Sequence, residues 1–207
     1  MKPILQFNNI AADPVSNLTF MLQAGEIRVL KVASEEAKTT VIDLALGELL
    51  PSKGEILLQG QTLDAHKPGS VGLIPAMGGL ISNLKTWENI TLPLWYHGSR
   101  QPQSAEEVVS RWLLELKIDK QEWEGFMAKP AARLKPWERK MAGLLRGLLL
   151  APRLLLIDAG LFEESEAAHT ESWISTLEKF VSESAHSAVL VVTSMPILLP
   201  WETIERS

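Results

Sequence analysis

Residues 27–50 read IRVLKVASEEAKTTVIDLALGELL. The first six are mostly apolar and of strand length, the pattern of a strand buried on both faces of a sheet. From about residue 35 to 49 the apolar positions recur at helical spacing. Ser34 between them is a favoured N-cap, and Glu35 and Glu36 in the first turn complement the helix dipole. A strand, a short loop and a helix opening on Lys38-Thr39-Thr40 share the architecture of a phosphate-binding loop. Two features oppose that use. The loop has no glycine to let the backbone curl around phosphate, and two glutamates stand where phosphate would lie.

The same alternation extends outward. Residues 3–8 and 17–22 read as strands joined by the loop AADPVS, and Pro51-Ser52-Lys53-Gly54 turns into the strand EILLQG. VGLIP (71–75), RLLLID (153–158) and SAVLVVTS (187–194) are short apolar runs of the buried-strand kind. Residues 86–97, 105–128, 136–150 and 167–184 are helical by period and propensity. Strands alternating with helices predict a largely parallel sheet with right-handed crossovers, an α/β fold. The polar SRQPQSAEE (99–107) is the most linker-like segment, yet too short to separate domains. The 207 residues, 46% hydrophobic, suit a single domain.

Composition narrows the chemistry. A net charge of −5 leaves no electrostatic footprint for nucleic acid or an anionic membrane. Without cysteine there is neither a disulfide nor a thiolate site. His66, His97, His169 and His186 are widely spaced and form no metal-binding pattern. The N-terminus reads as an edge strand rather than a signal peptide. The longest apolar stretch is cut by Arg146, Pro152 and Arg153, so direct membrane insertion is not expected. A cytoplasmic location follows, with any membrane association through a partner.

Five segments, in order, resemble the ATP-binding subunit of an ABC transporter. LQAGEIRVLKV is similar to the turn and strand entering that family's phosphate loop, and LPSKGEILLQGQTL to the hairpin after its first helix. VGLIPAMGGLISNLKTWENITLPL resembles the region from the Q-loop into the helical subdomain. LLRGLLLAPRLLLID resembles the signature helix running into the Walker B strand, and VLVVTS the strand before the switch histidine. The resemblance implies a P-loop NTPase-like fold: a mostly parallel sheet, N-terminal antiparallel strands and a helical subdomain. It implies one domain over 1–207, with a core of 1–75 and 150–207 and a subdomain at about 76–149.

The resemblance also locates systematic departures. The phosphate-loop glycine positions fall on Val32 and Ala37, the Q-loop glutamine on Ala76 or a neighbour, and the signature on Leu134-Lys135-Pro136-Trp137-Glu138. Asp158 remains at Walker B, but the general-base position is Ala159 and the switch histidine Ser194. The AADPVS loop offers no aromatic residue for adenine, and the sequence ends soon after Ser194, short of the family's usual final strands. Phosphoryl transfer would then lack water orientation and transition-state stabilisation.

These readings imply a non-hydrolysing subunit that supports or regulates a membrane transport complex, with no catalytic residues and no resident cofactor. The alternatives are a divergent working ATPase using ATP and Mg²⁺, and a soluble interaction module derived from the P-loop fold. Nucleotide contacts, in the ATPase case, fall to Lys38, Thr39, Thr40 and Asp158. Otherwise Lys38 pairs with nearby glutamates, Asp158 bonds to the helix start and Ser194 caps a strand end. The expected partners are a membrane permease and/or a second ATPase subunit, as a homodimer or heterodimer, placing the chain peripherally at the inner face of the membrane. Of seven tryptophans, Trp87, Trp95 and Trp137 are interface candidates, with Trp137 expected to be the most exposed because it follows Pro136 at a helix start.

Overall fold

The computed structural model describes residues 2–63, 70–97, 102–163, 165–184 and 186–205. His66 and residues 99–101 of the expected linker lie outside them. The chain divides into two compact units: Met1–Leu73, Pro152–Ala159 and Val181–Ser207 in the first, Ile74–Ala151 and Gly160–Phe180 in the second. The second holds the expected helical subdomain and also 160–180, which the sequence reading placed in the core.

In the first unit, β1 (Leu5–Ala12), β2 (Val15–Leu22), β4 (Lys53–Leu58) and β5 (Gln61–Thr62) form an antiparallel sheet of order β2-β1-β4-β5. The turn between β1 and β2 is shorter than the expected AADPVS loop, because both strands run to the Asp13-Pro14 corner. Bulges on β1 break its period-2 pattern and hide its full length from a sequence reading. Phe7 and Phe20 face each other in register, with ring centroids 4.8 Å apart. The second sheet has the order β6-β7-β8-β3-β9, from β6 (Val71–Ile74), β7 (Leu154–Asp158), β8 (Ala188–Thr193), β3 (Ile27–Lys31) and β9 (Thr203–Glu205). β3 runs parallel to β8 and β9, and β7 parallel to β8. All six residues of β8 are buried, as its unbroken apolar run requires. α1 (Glu35–Leu46) follows β3 and buries Val41, Leu44 and Ala45 in a core shared with Leu30, Leu156, Leu190 and Val192. It ends where Gly47 takes a left-handed φ of 70° and Glu48 N–H bonds back to the Asp43 carbonyl.

The second unit is helical: α2 (Thr86–His97), α3 (Pro102–Glu115), α4 (Lys120–Ala128), α5 (Pro136–Leu150) and most of α6 (Ala167–Glu183). The stretch 105–128 is mostly helical, as expected, and is divided into two helices. Lys117 has a left-handed φ of 58°, and the Asp119 carboxylate caps α4 by accepting from Gln121 N–H at 2.9 Å. Part of the expected linker, from Pro102, belongs to α3. Buried Asn89 braces the segment before α2, accepting from Ile81 N–H at 2.7 Å and donating to the carbonyls of Ile81 and Lys85. α5 lies directly on residues 78–79. A Cβ on Gly143 would sit 2.4 Å from Gly78 Cα, and one on Gly78 would sit 2.2 Å from the Arg139 carbonyl oxygen. Arg146 completes the junction by donating to the Gly78 and Gly79 carbonyls, each at 2.8 Å. No helix among the described residues is long and apolar enough to cross a membrane.

Candidate functional site

β3 ends at Lys31 and α1 begins at Glu35, leaving three residues, Val32 to Ser34, as the connection. The left-handed residues among those described lie elsewhere, so this turn contains none of the positive-φ geometry that cups a phosphate in a glycine-rich loop. Amide groups at the start of this turn and in the first turn of α1 have partners within the chain. Val32 N–H bonds to the Thr193 carbonyl at 2.9 Å, Lys38 N–H to the Ser34 carbonyl at 2.9 Å, and Ala37 N–H to Ser34 Oγ at 3.1 Å. Ser34 is the helix N-cap that its residue type predicts.

Side chains close the same end. Lys38, only 13% exposed, reaches Glu35 Oε2 at 2.7 Å and Asp158 Oδ1 at 3.0 Å. Ser194, just beyond β8, donates its hydroxyl to Glu35 Oε1. Glu35 thus joins the lysine of α1 to the serine after β8, and Lys38 joins both to the carboxylate ending β7. The hydrogen bond from Lys38, and then that from Ser194, holds the Glu35 carboxyl below its ordinary value. For Lys38, burial acts to lower the ammonium's pKa, but the hydrogen bonds to Glu35 and Asp158 outweigh it and the net direction is upward.

Of the candidate nucleotide contacts, the structure brings Lys38 and Asp158 together in an ion pair. Thr39 turns its hydroxyl to the Glu35 carbonyl at 3.1 Å, and Thr40 to the Asp13 carbonyl at 3.4 Å. The Lys38–glutamate pairing was legible as an i,i+3 contact. The Ser194 contact was not: sequence suggested a strand-end cap, whereas the hydroxyl bonds to a residue 159 positions away. Ala159, at the expected general-base position, is 1% exposed.

The tryptophan candidates all lie in the helical unit. Trp95 is 70% exposed. Trp137, expected to be the most exposed, is half-buried and stacked on His169, with ring centroids 4.6 Å apart. Trp87 is half-buried as well. The start of α5 is satisfied internally, since Glu138 accepts from Lys135 N–H at 2.6 Å and from Lys129 Nζ at 2.7 Å.

Residues 15–160 match the ABC transporter family. The chain belongs to that family, and its fold is that of the family's ATP-binding domain. It is 26% identical over 151 residues to the intermembrane phospholipid transport system ATP-binding protein of Haemophilus influenzae. That match covers 69% of this chain and 54% of the relative, about half its length. It is also 26% identical over 165 residues to the ergothioneine transport ATP-binding protein of Helicobacter pylori, covering 76% of this chain and 75% of that protein. Among solved structures, an ATP-binding subunit of an ABC transporter superposes with a TM-score of 0.77 at 19% identity, over 92% of this chain and 79% of the other. A component of an ABC transporter complex from Clostridium perfringens gives 0.73 at 16% identity, over 93% and 79%.

Proposed function

We propose that this chain is a non-hydrolysing, ATPase-like subunit that supports or regulates a membrane transport complex. The observation that carries this reading is the Ser194–Glu35–Lys38–Asp158 network at the start of α1. A triphosphate needs open backbone N–H groups and an uncommitted lysine. Here Ala37 and Lys38 N–H are bonded to Ser34, and the lysine holds two carboxylates. This pairing supports a reading in which the chain's own groups, rather than ATP·Mg²⁺, fill this position. Alanine at position 159 and serine at 194 supply neither a carboxylate base nor an imidazole.

The partners in this reading are a permease and a second ATPase subunit, identical or different, which hold the chain at the inner face of the membrane. Its relatives carry names of transport ATP-binding proteins, and two solved neighbours are described as dimeric. A working ATPase is the second reading. Those relatives' names and the retained Lys38, Thr39 and Asp158 favour it.

Equilibrium binding of labelled ATP·Mg²⁺ to the purified chain separates the two. The first reading expects no saturable binding at micromolar nucleotide. Micromolar binding, with phosphate release abolished by Lys38→Ala, overturns it in favour of the second.

A further inference from the structure

The first turn of α1 keeps three kinds of donor at one end. Among the described residues, the N–H groups of Glu35 and Glu36 have no acceptor within the chain, because Ser34 serves only those of Ala37 and Lys38. Lys38 brings an ammonium that Asp158 anchors from β7, so its position does not depend on Glu35. Ser194 adds a hydroxyl from just beyond β8. The ammonium and the hydroxyl both donate to one carboxylate, Lys38 to Glu35 Oε2 at 2.7 Å and Ser194 to Glu35 Oε1. A carboxylate held through both oxygens by donors from two elements is placed as a bound anion would be, except that this one is tethered to the chain. Its hold is shallow. Glu35 is 69% exposed, and rotation of its side chain carries the carboxylate into solvent with the backbone of α1 unmoved. Glu36, the next residue, is exposed and forms no ion pair among the described residues.

We propose that Glu35 is an autoinhibitory side chain: its carboxylate occupies a position that accepts a single phosphate group once the side chain swings away. Two open amides, one ammonium and one hydroxyl suit one such group. The connection from β3 has no left-handed residue to wrap a longer run of phosphates. A competitor tethered at the position acts at high effective concentration, so wild type binds free phosphate weakly. The proposal rests on the reading that the chain's own groups fill this position, and it assigns the exclusion to one side chain rather than to the backbone turn.

The test is a titration of the ¹⁵N-labelled full chain with inorganic phosphate at neutral pH and fixed ionic strength, following the backbone N–H signals of residues 35 and 36. Glu35→Ala should bind phosphate about fivefold or more tightly than wild type. Glu35→Gln, which keeps the shape of the side chain, should gain in the same direction. Glu36→Ala removes the same charge from the same turn without touching the contact, and should gain less than about twofold. Adding Lys38→Met to Glu35→Ala should abolish the gain. No gain in either Glu35 variant, an equal gain in Glu36→Ala, or a gain that survives Lys38→Met overturns the proposal. ATP·Mg²⁺ binding by wild type reports separately on the proposed non-hydrolysing role. The ratio of variant to wild-type phosphate affinity judges Glu35 alone, so either reading can fail without the other.

Discussion

Replacing Lys38 with methionine distinguishes a lysine kept for phosphate from one that fastens the fold. Methionine keeps most of the length and apolar volume of the stem and removes the charge. Lys38 and Asp158 are 13% and 18% exposed, between a surface pair and a fully buried one. Exposed pairs contribute about 0–1 kcal/mol, and breaking a buried pair costs about 3–5 kcal/mol. The Lys38–Asp158 coupling is therefore about 1–2 kcal/mol. The contact to Glu35 adds little, because that carboxylate is 69% exposed and screened. Urea unfolding of wild type, Lys38→Met, Asp158→Asn and the double variant gives the coupling as a thermodynamic cycle. A coupling below about 0.3 kcal/mol, within the usual additivity error, would refute the fastening role. In a loop that holds triphosphate, Lys38→Met would leave unfolding nearly unchanged and remove an ATP-dependent rise in Tm. Here the expected pattern is the reverse: a Tm lower by roughly 2–8 °C, and no ATP effect in either protein.

Glu35 gives a pH signature. Its carboxyl sits below 4.5 in the folded chain, so its stabilisation is present above 4.5 and is lost as pH falls through the lower folded value. The stability difference between wild type and Glu35→Gln, measured by urea unfolding across pH, should hold through neutrality and shrink in acid; a constant difference down to pH ~2 contradicts the network. Lys38 behaves oppositely: its contribution is present below 10.5 and lost as pH rises through the higher folded value, and Lys38→Met should remove that alkaline loss from the urea curves. Gly143→Ala forces a methyl against Gly78 and should cost about 1–3 kcal/mol or more in chemical denaturation. Asn89→Ala strands the Ile81 N–H and should cost about 1–3 kcal/mol; hydrogen exchange at Ile81 should accelerate beyond any global change.

The strands buried on both faces were the most legible elements, because β7 and β8 are unbroken apolar runs of strand length. The N-cap at Ser34 was legible for a local reason: residue type and position decide it. Features set by distant residues were not. Trp137 stacks on His169 of α6, 32 positions later, and Ser194 finds Glu35 across 159. The break between α3 and α4 was hidden because Lys117, rather than glycine or proline, takes the left-handed turn. Trp95 shares its helix with the buried Ile90 and Leu94, so periodicity alone did not single it out as exposed.

The junction of Gly78 with Gly143 has a mechanical consequence. Backbone meets helix there without an intervening side chain, and Arg146 grips both carbonyls of the approaching segment. A joint padded by side chains can slide as rotamers change; this one has no such slack. Any force that shifts residues 78–79 must carry α5 with it, so within the helical unit the two behave as one lever rather than two hinged parts.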